Sequence, residues 1–328
     1  MQLRGLVRPQ AIASGVLHRL AVFVLSLALA SVLIFLACAA LPGDIAQVIL
    51  GQNATPEALA ELRRTLGLDR PLLLRYLDWV TSMLTGDFGT SFLNRLSVSS
   101  QIAARLGVTA WLVLFAMLLA LLVAVPVGLL AAVRSRQLSG FVVSALSQVG
   151  LAVPAFWAGI LGVSLFAVHL RLVPANGYVR LGDDPGEWAR HLVLPVASLA
   201  LVQASVLVRY VRAAVIEVLA EDYLRTARAV GWTRMRALVR HGLRNASLSV
   251  VTVLGLQLST LFVGAIVIEQ VFALPGLGSL LLDAVAQRDL VVVQGTVMVL
   301  VFAVLLINAL VDLSYLALDP RLRRGSRA

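Results

Sequence analysis

Residues 106–133 read LGVTAWLVLFAMLLALLVAVPVGLLAAV, which is 28 residues without one charged side chain. A helix rises 1.5 Å per residue, so about 20 apolar residues cross the hydrocarbon core of a bilayer. The stretch therefore predicts a transmembrane helix. Pro126 within it removes one backbone donor and predicts a kink, which neighbouring helices can tolerate by satisfying the freed carbonyl.

The same pattern recurs on both sides of this stretch. Runs free of Asp, Glu, Arg and Lys occupy residues 20–41, 106–133, 137–170, 192–208, 245–268 and 290–311. The fourth run is only just long enough to span, and the third contains Pro154. The chain is 60% hydrophobic and 13% charged, whereas soluble domains carry about 25% charge. We expect an all-α, polytopic membrane protein with six transmembrane helices.

The first run has an alternative interpretation as a signal peptide. Ala37 and Ala39 make an A-x-A pattern, and Cys38 suggests a weak lipoprotein box. However, the run is longer than the apolar region of a signal peptide, and Phe35 stands where a lipoprotein box prefers Leu. A retained first span is the favoured interpretation.

The arginines predict the orientation of the spans. The segments 1–19, 134–136, 209–244 and 312–328 together hold 17 arginines and four acidic residues, leaving out Asp312 at the membrane edge. The segments on the other side hold ten arginines and twelve acidic residues. Because basic residues stay in the cytoplasm, both termini should be cytoplasmic. This spread along membrane helices favours anionic lipid over nucleic acid as the partner of the positive charge.

Several chemistries are excluded by composition. The chain has no Lys, so it has no P-loop for ATP. A single Cys and four scattered His give no metal-ligand spacing, so we expect no bound metal and no cofactor. The apolar runs contain no carboxylate pair and no nucleophile–base arrangement, which argues against a membrane enzyme.

A hydrophilic segment, residues 42–105, is predicted outside the membrane. Thr55 and Pro56 form a helix start and Gly67 its end. A second amphipathic stretch follows over residues 71–84. The segment is either a packed cap on the membrane surface or a docking face for an external partner.

The most informative segment is the predicted cytoplasmic loop, residues 209–247. Glu221 and Arg225 are spaced as an i, i+4 ion pair on one helix, and Gly231 breaks the pattern. A short amphipathic helix is then predicted over residues 232–241, too short to span. Such a helix lies on lipid headgroups or inserts apolar side chains into a groove on a partner.

This loop resembles that of the permease subunits of binding-protein-dependent ABC importers, specifically the dipeptide/oligopeptide/nickel permease family. The matching residues read DYLRTARAVG over 222–231 and RHGLRN over 240–245. Arg225 and Thr226 replace the Glu and Ala of the general E-A-A-x-x-x-G motif. The stretches LGLDRP at 66–71, GDFGTS at 86–91, VFALPGLG at 271–278 and LDPRLR at 318–323 are similar to the same family in the same order.

The resemblance implies a type I-like permease bundle over residues 20–316, with a cytoplasmic segment at 1–19 and a cytoplasmic tail at 317–328. It also implies a second, distinct permease, two ATPase subunits that hold ATP and Mg²⁺, and an extracytoplasmic solute-binding protein. The cargo would be a peptide or a related small solute such as a nickel chelate. An ion-coupled secondary transporter and a pore are the alternatives, but no run contains an ionisable acid or Arg.

The resemblance assigns ATPase coupling to the loop around Gly231. Trp232, Met235 and Leu238 would be the inserted apolar side chains, with Arg234 and Arg236 in ion pairs at the rim. Internal packing against the chain's own helix ends is the alternative. The full set of coupling candidates is Tyr223, Arg225, Thr226, Ala227, Arg228, Gly231, Trp232, Arg234, Met235 and Leu238.

Polar residues inside the spans are few. Gln203 in the fourth run, and Gln257 and Thr260 in the fifth, are candidates for the translocation pathway. Polar residues of this kind also hold helices together in membranes, and that role is the favoured one.

Overall fold

The computed structural model describes residues 9–40, 45–51, 54–65 and 67–318, and in these residues it is almost wholly helical. The predicted tail after residue 318, residues 1–8 and Leu66 lie outside the described part. The helices in chain order are α1 Pro9–Ala40, α2 Ile45–Leu50, α3 Pro56–Thr65, α4 Leu72–Leu84, α5 Val98–Val133, α6 Leu138–Ala152, α7 Ala155–Gly162, α8 Pro185–Ala220, α9 Asp222–Ala229, α10 Arg234–Ala237, α11 Leu243–Val271, α12 Leu277–Ala286 and α13 Leu290–Leu318.

Five helical stretches in the described residues are long and apolar enough to cross a membrane. They are Val16–Ala40, Val98–Val133, Pro185–Ala220, Val253–Val271 and Leu290–Ser314. They correspond to five of the six predicted runs, so the all-α membrane prediction is confirmed. The structure gives five spans, or six if the remaining bent pair crosses as one.

That bent pair is the third run, in which two helical stretches, Leu138–Ala152 and Ala155–His169, meet at 95°. Val153 and Pro154 are extended, with ψ of 118° and 140°. Proline disfavours the helical region for the residue before it and supplies no amide donor. The chain is therefore broken at Pro154, whereas Pro126, where a kink was predicted, lies inside the continuous helix α5.

The fourth span is longer than its apolar run. Asp184 caps α8 by accepting hydrogen bonds from the amides of Gly186 and Glu187, at 2.8 and 3.0 Å. The helix then continues through Arg209 and Arg212 to Ala220. The predicted segment 209–247 thus begins with the last three turns of α8, because helical backbone continues beyond the apolar run.

The chain divides into two compact units. The first comprises Met1–Val22, Trp111–Leu274 and Leu306–Ala328. Within it α8 is central, because α6, α7 and α11 all pack against it. Seventeen residues of α8 are buried. The contact with α6 is close: a Cβ on Gly150 would lie 2.1 Å from the Oγ of Ser205.

The second unit comprises Phe23–Ala110 and Pro275–Leu305. Its core joins Val98, Ile102 and Leu277 with neighbours from α12 and the start of α13. The hydroxyl of Ser91 donates to the buried carboxylate of Asp289. This bond ties the loop before α5 to the start of α13.

The predicted helices of the external segment are confirmed. Thr55 caps α3, and its Oγ1 accepts from the amide of Ala58 at 3.2 Å. In α4, Tyr76 and Trp79 pack around Phe35 of α1 with ring centroids 5.4 and 6.1 Å from it. The leucines at the start of α4 are exposed, so this helix has one face packed inside its unit and one apolar face open.

Candidate functional site

The loop between α8 and α11 contains the short helix α9 and the start of α10. Helix α8 ends where Glu221 turns extended, with ψ of 143°. The eight residues of α9 follow, and the chain then reverses at Gly231. Gly231 has φ of +100°, a conformation that favours glycine. The predicted break at Gly231 is confirmed.

The short amphipathic helix is not where the sequence predicted it. Residues 232–241 do not form a separate helix, because Thr233 caps α10 and the helix runs on through a π-helical turn, Leu238–Gly242, into α11. Helix α9 is the short one. The reason is that Thr233 starts the helix by accepting from the amide of Arg236 at 3.3 Å, and Gly242 remains in the helical region, so the helix is not interrupted there.

One face of α9 packs into the chain. Leu224 is fully buried in a cluster with Leu238, Val215 and Val218. A close approach at Gly242 makes this packing possible, since a Cβ there would lie 2.8 Å from Leu238 and 2.9 Å from Val218. This cluster therefore determines which face of α9 is buried.

Leu238 belongs to this internal cluster and has no exposed surface. Its predicted role as an apolar side chain inserted into a partner is therefore wrong, and internal packing is what the structure shows. Ala227 and Trp232 are half-buried against the same cluster. Met235 is half-buried as well.

The predicted ion pair between Glu221 and Arg225 is also corrected. Because α8 ends at Ala220, Glu221 and Arg225 do not share a helix, and Arg225 pairs with Asp222 at 3.4 Å. Both side chains of this pair are exposed, so it contributes little to stability. Asp222 in the first turn and Arg228 in the last turn of α9 complement the helix dipole.

The other arginines of the loop have internal contacts. Arg234 donates to the carbonyl of Val133, the last residue of α5, at 2.9 Å. Burial, and then the positive charges of Arg228 and Arg136, lower the pKa of Arg234 from its usual value. Arg236 lies over the ring of Trp232, 5.2 Å from its centroid, a favourable cation–π contact.

The most exposed apolar side chain of the loop is at its tip and was not predicted. Val230, beside Gly231, has 75% of its surface exposed. Tyr223 is exposed by 39%, and its hydroxyl accepts from Asn245 at 2.9 Å, which fixes the ring. Thr226 and Arg228 are exposed on α9 between these two. The signal available in the sequence was the position of Val230 directly before a turn glycine.

The three pathway candidates lie together. Gln203 of α8 is buried, and its Nε2 donates to the carbonyl of Gln257 at 2.8 Å and to the Oγ1 of Thr260 at 3.4 Å. These bonds join α8 to α11. The geometry is that of a polar link between helices, which is the role favoured from the sequence.

No group of three or more His, Cys, Asp or Glu side chains capable of holding a metal occurs in the part of the chain that the structure describes. The site is thus an exposed loop with an apolar tip and a ring of arginines. Such a surface can bind another protein.

Two family models match the chain. The model described as the binding-protein-dependent transport system inner membrane component matches residues 124–324, and the model of the N-terminal part of such membrane components matches residues 13–113. Among solved structures, the inward-facing MetNI methionine ABC transporter has a TM-score of 0.57 at 19% identity, covering 66% of this chain and 96% of that chain. This likeness shows a shared fold.

Curated relatives cover nearly the whole chain. A Brucella abortus (strain 2308) protein, provisionally named a peptide transport system permease protein, is 42% identical over 308 residues, which are 94% of this chain and 98% of that protein. The glutathione transport system permease protein GsiC of Salmonella typhimurium (strain LT2) is 40% identical over 308 residues with the same coverage.

Proposed function

The chain belongs to the family of binding-protein-dependent transport system inner membrane components, and from this premise we propose how it is oriented, what it couples to and what it carries. It is a multi-pass inner-membrane permease of an ABC importer, not an ion-coupled secondary transporter. Members of this family work with an ATPase and a solute-binding protein. The subunit numbers, the docking residues and the cargo below are proposals.

The proposed orientation has both termini in the cytoplasm. The support is the excess of arginines in the segments 1–19, 134–136, 209–244 and 312–328. In this orientation the loop containing α9 and Gly231 is cytoplasmic, and the external segment with α3 and α4 is on the opposite side.

The loop tip is the proposed coupling site. Two cytoplasmic ATPase subunits hold ATP and Mg²⁺, and one of them receives the tip in a groove on its surface. The observation that carries this proposal is Val230, an exposed valine on a rigid turn beside Gly231. Tyr223, Arg225, Thr226 and Arg228 surround it on the exposed face of α9.

The remaining coupling candidates are proposed to support the tip by their contacts within the chain. Ala227, Trp232 and Met235 are half-buried, and Arg234 is anchored to α5. These residues hold the tip in place. The chain itself is proposed to hydrolyse no ATP and to bind no cofactor, because its sequence has no Lys for a P-loop.

The proposed cargo is a peptide. The support is the names of the relatives, which assign one to peptide transport and another to glutathione transport, glutathione itself being a tripeptide. A solute-binding protein delivers the peptide on the external side. A second, distinct permease completes the pathway, and the pair moves cargo by alternating access when the ATPases close and open.

Substitution at the tip tests the coupling proposal. Val230→Asp places a charge where the proposed groove is apolar, so we expect uptake and binding-protein-stimulated ATP hydrolysis to fall about tenfold, the effect of losing about 1.4 kcal/mol of docking energy. Val285→Asp is the matched control, because Val285 is an exposed valine of α12, with 53% of its surface accessible.

The assay uses the whole transporter in proteoliposomes with its binding protein. Melting temperatures of both variants are measured in parallel, so that a loss of stability is separated from a loss of docking. Full stimulated ATPase activity in Val230→Asp, with cargo uptake intact, would show that the tip does not dock.

A further inference from the structure

A second feature of the loop is a partly open cavity beside α9. This cavity, of about 420 Å³, lies between the turn after α5, the end of α8, and α9 and α10. Four arginines line it: Arg136, Arg225, Arg228 and Arg234. Among the lining residues, all of which are in the described part of the chain, none is acidic.

This concentration of positive charge is unfavourable without an anion. Arg234 is half-buried and is held in place by the carbonyl of Val133. Its pKa is lowered by burial and by Arg228 and Arg136. Arg225 has an exposed carboxylate beside it, Asp222, but that side chain is almost fully in solvent. A bound anion would stabilise these guanidinium groups.

The depth of the cavity indicates where the anion comes from. The turn that lines the cavity with Ser135 and Arg136 directly follows the apolar run 106–133 of α5. Lipid phosphates lie at the level where such an apolar run gives way to charged residues. One wall of the cavity is apolar, formed by Ile216 and Leu219. An acidic side chain of a protein partner would use the arginines and leave this wall uncovered.

We infer that the cavity lined by Arg136, Arg225, Arg228 and Arg234 binds the phosphate group of an anionic phospholipid from the cytoplasmic leaflet, with the glycerol against Ile216 and Leu219. The inference rests on the proposed orientation of the chain. The lipid would sit directly behind the coupling loop and would hold α9 against α5 and α8. Basic pockets between membrane helices on the cytoplasmic side bind lipid headgroups in this way.

The test is a lipid titration of the purified full chain in nonionic detergent, followed by native mass spectrometry. Phosphatidylglycerol should bind at least tenfold more tightly than phosphatidylcholine. Each arginine near a headgroup contributes about fivefold, so the double variant Arg136→Gln with Arg228→Gln should weaken phosphatidylglycerol binding about 25-fold. Arg209→Gln is the matched control, because Arg209 is an exposed arginine of α8 outside the cavity.

Melting temperatures are measured in parallel. If the double variant is unstable, Arg136→Gln alone replaces it with an expected fivefold loss. Unchanged phosphatidylglycerol binding in a folded variant, or equal binding of the two lipids, overturns the inference. Inorganic phosphate at 20 mM should not displace the lipid, and displacement would identify a site for a free anion instead.

A final experiment repeats the lipid-binding measurement with the ATPase subunits present. Lipid retained in the assembled complex supports the inference, whereas lipid expelled on assembly assigns the arginines to an acidic surface of the ATPase. Because lipid binding is measured without cargo or ATP, its failure leaves the proposed transport function untouched, and a failure of transport leaves the lipid result standing.

Discussion

Replacing Leu224 by Ala should detach α9 from the helix bundle without unfolding the bundle. Leu224 has no exposed surface, and it is the only buried residue of α9, a helix whose every residue is described. Leu→Ala changes at buried positions cost about 2–5 kcal/mol. We take ~3 kcal/mol here, a value within that range.

The loss falls on one short helix and not on the whole fold. A local loss of ~3 kcal/mol raises the open population of α9 about 150-fold. Hydrogen exchange measured by mass spectrometry should therefore speed up by that factor in the peptide covering residues 222–231. Hydrogen exchange in α8 should change little. Stimulated ATP hydrolysis should fall, because the loop tip loses its support.

The matched control is Leu256→Ala, the same substitution at a position of α11 where 64% of the residue surface is exposed. It should leave exchange in α9 unchanged. Exchange in α9 that stays within twofold of wild type in Leu224→Ala would refute the reasoning, since α9 would then be held by something other than this side chain.

Two further substitutions test other parts of the structure. Gly231→Ala places a Cβ at φ +100° and should lower local stability by about 1–2 kcal/mol, which would be measured as faster hydrogen exchange at the tip. Gly107→Ala is the control. A Cβ at this helical position has nothing within 4 Å, so the substitution should be neutral or stabilising. Gln203→Leu removes the hydrogen bonds to Gln257 and Thr260 and should lower stability by about 1 kcal/mol in a denaturation assay. Unchanged cargo selectivity in Gln203→Leu is expected of a link between helices, and altered selectivity would assign Gln203 to the pathway.

The membrane fold could be predicted because it depends on length and charge alone. Each apolar run in the sequence corresponds to a helix or a pair of helices in the structure. The break at Pro154 could not be predicted, because Pro126 and Pro195 lie in continuous helices. The three prolines share the same local chemistry, and only the backbone at Val153 and Pro154 leaves the helical region.

The candidate site was predicted in position but not in detail. Gly231 marks the turn because a positive φ is a local property that favours glycine. The burial of Leu238 and the exposure of Val230 are not local properties. They depend on where α9 packs, and this is set by Val218 in the preceding helix α8 and by Gly242 beyond the turn at Gly231.

Helix α10, the π-helical turn and α11 form one continuous helix, and this helix begins beside the docking loop. From Arg234 to Val271 the backbone is helical throughout, a rod on the order of 57 Å long. A tilt of the whole rod by about 10° would carry its far end about 10 Å. The π-helical turn is the one place along it where the pitch changes, and such turns are common where helices bend in function. A small push by a partner would in this way become a large displacement on the opposite side of the membrane.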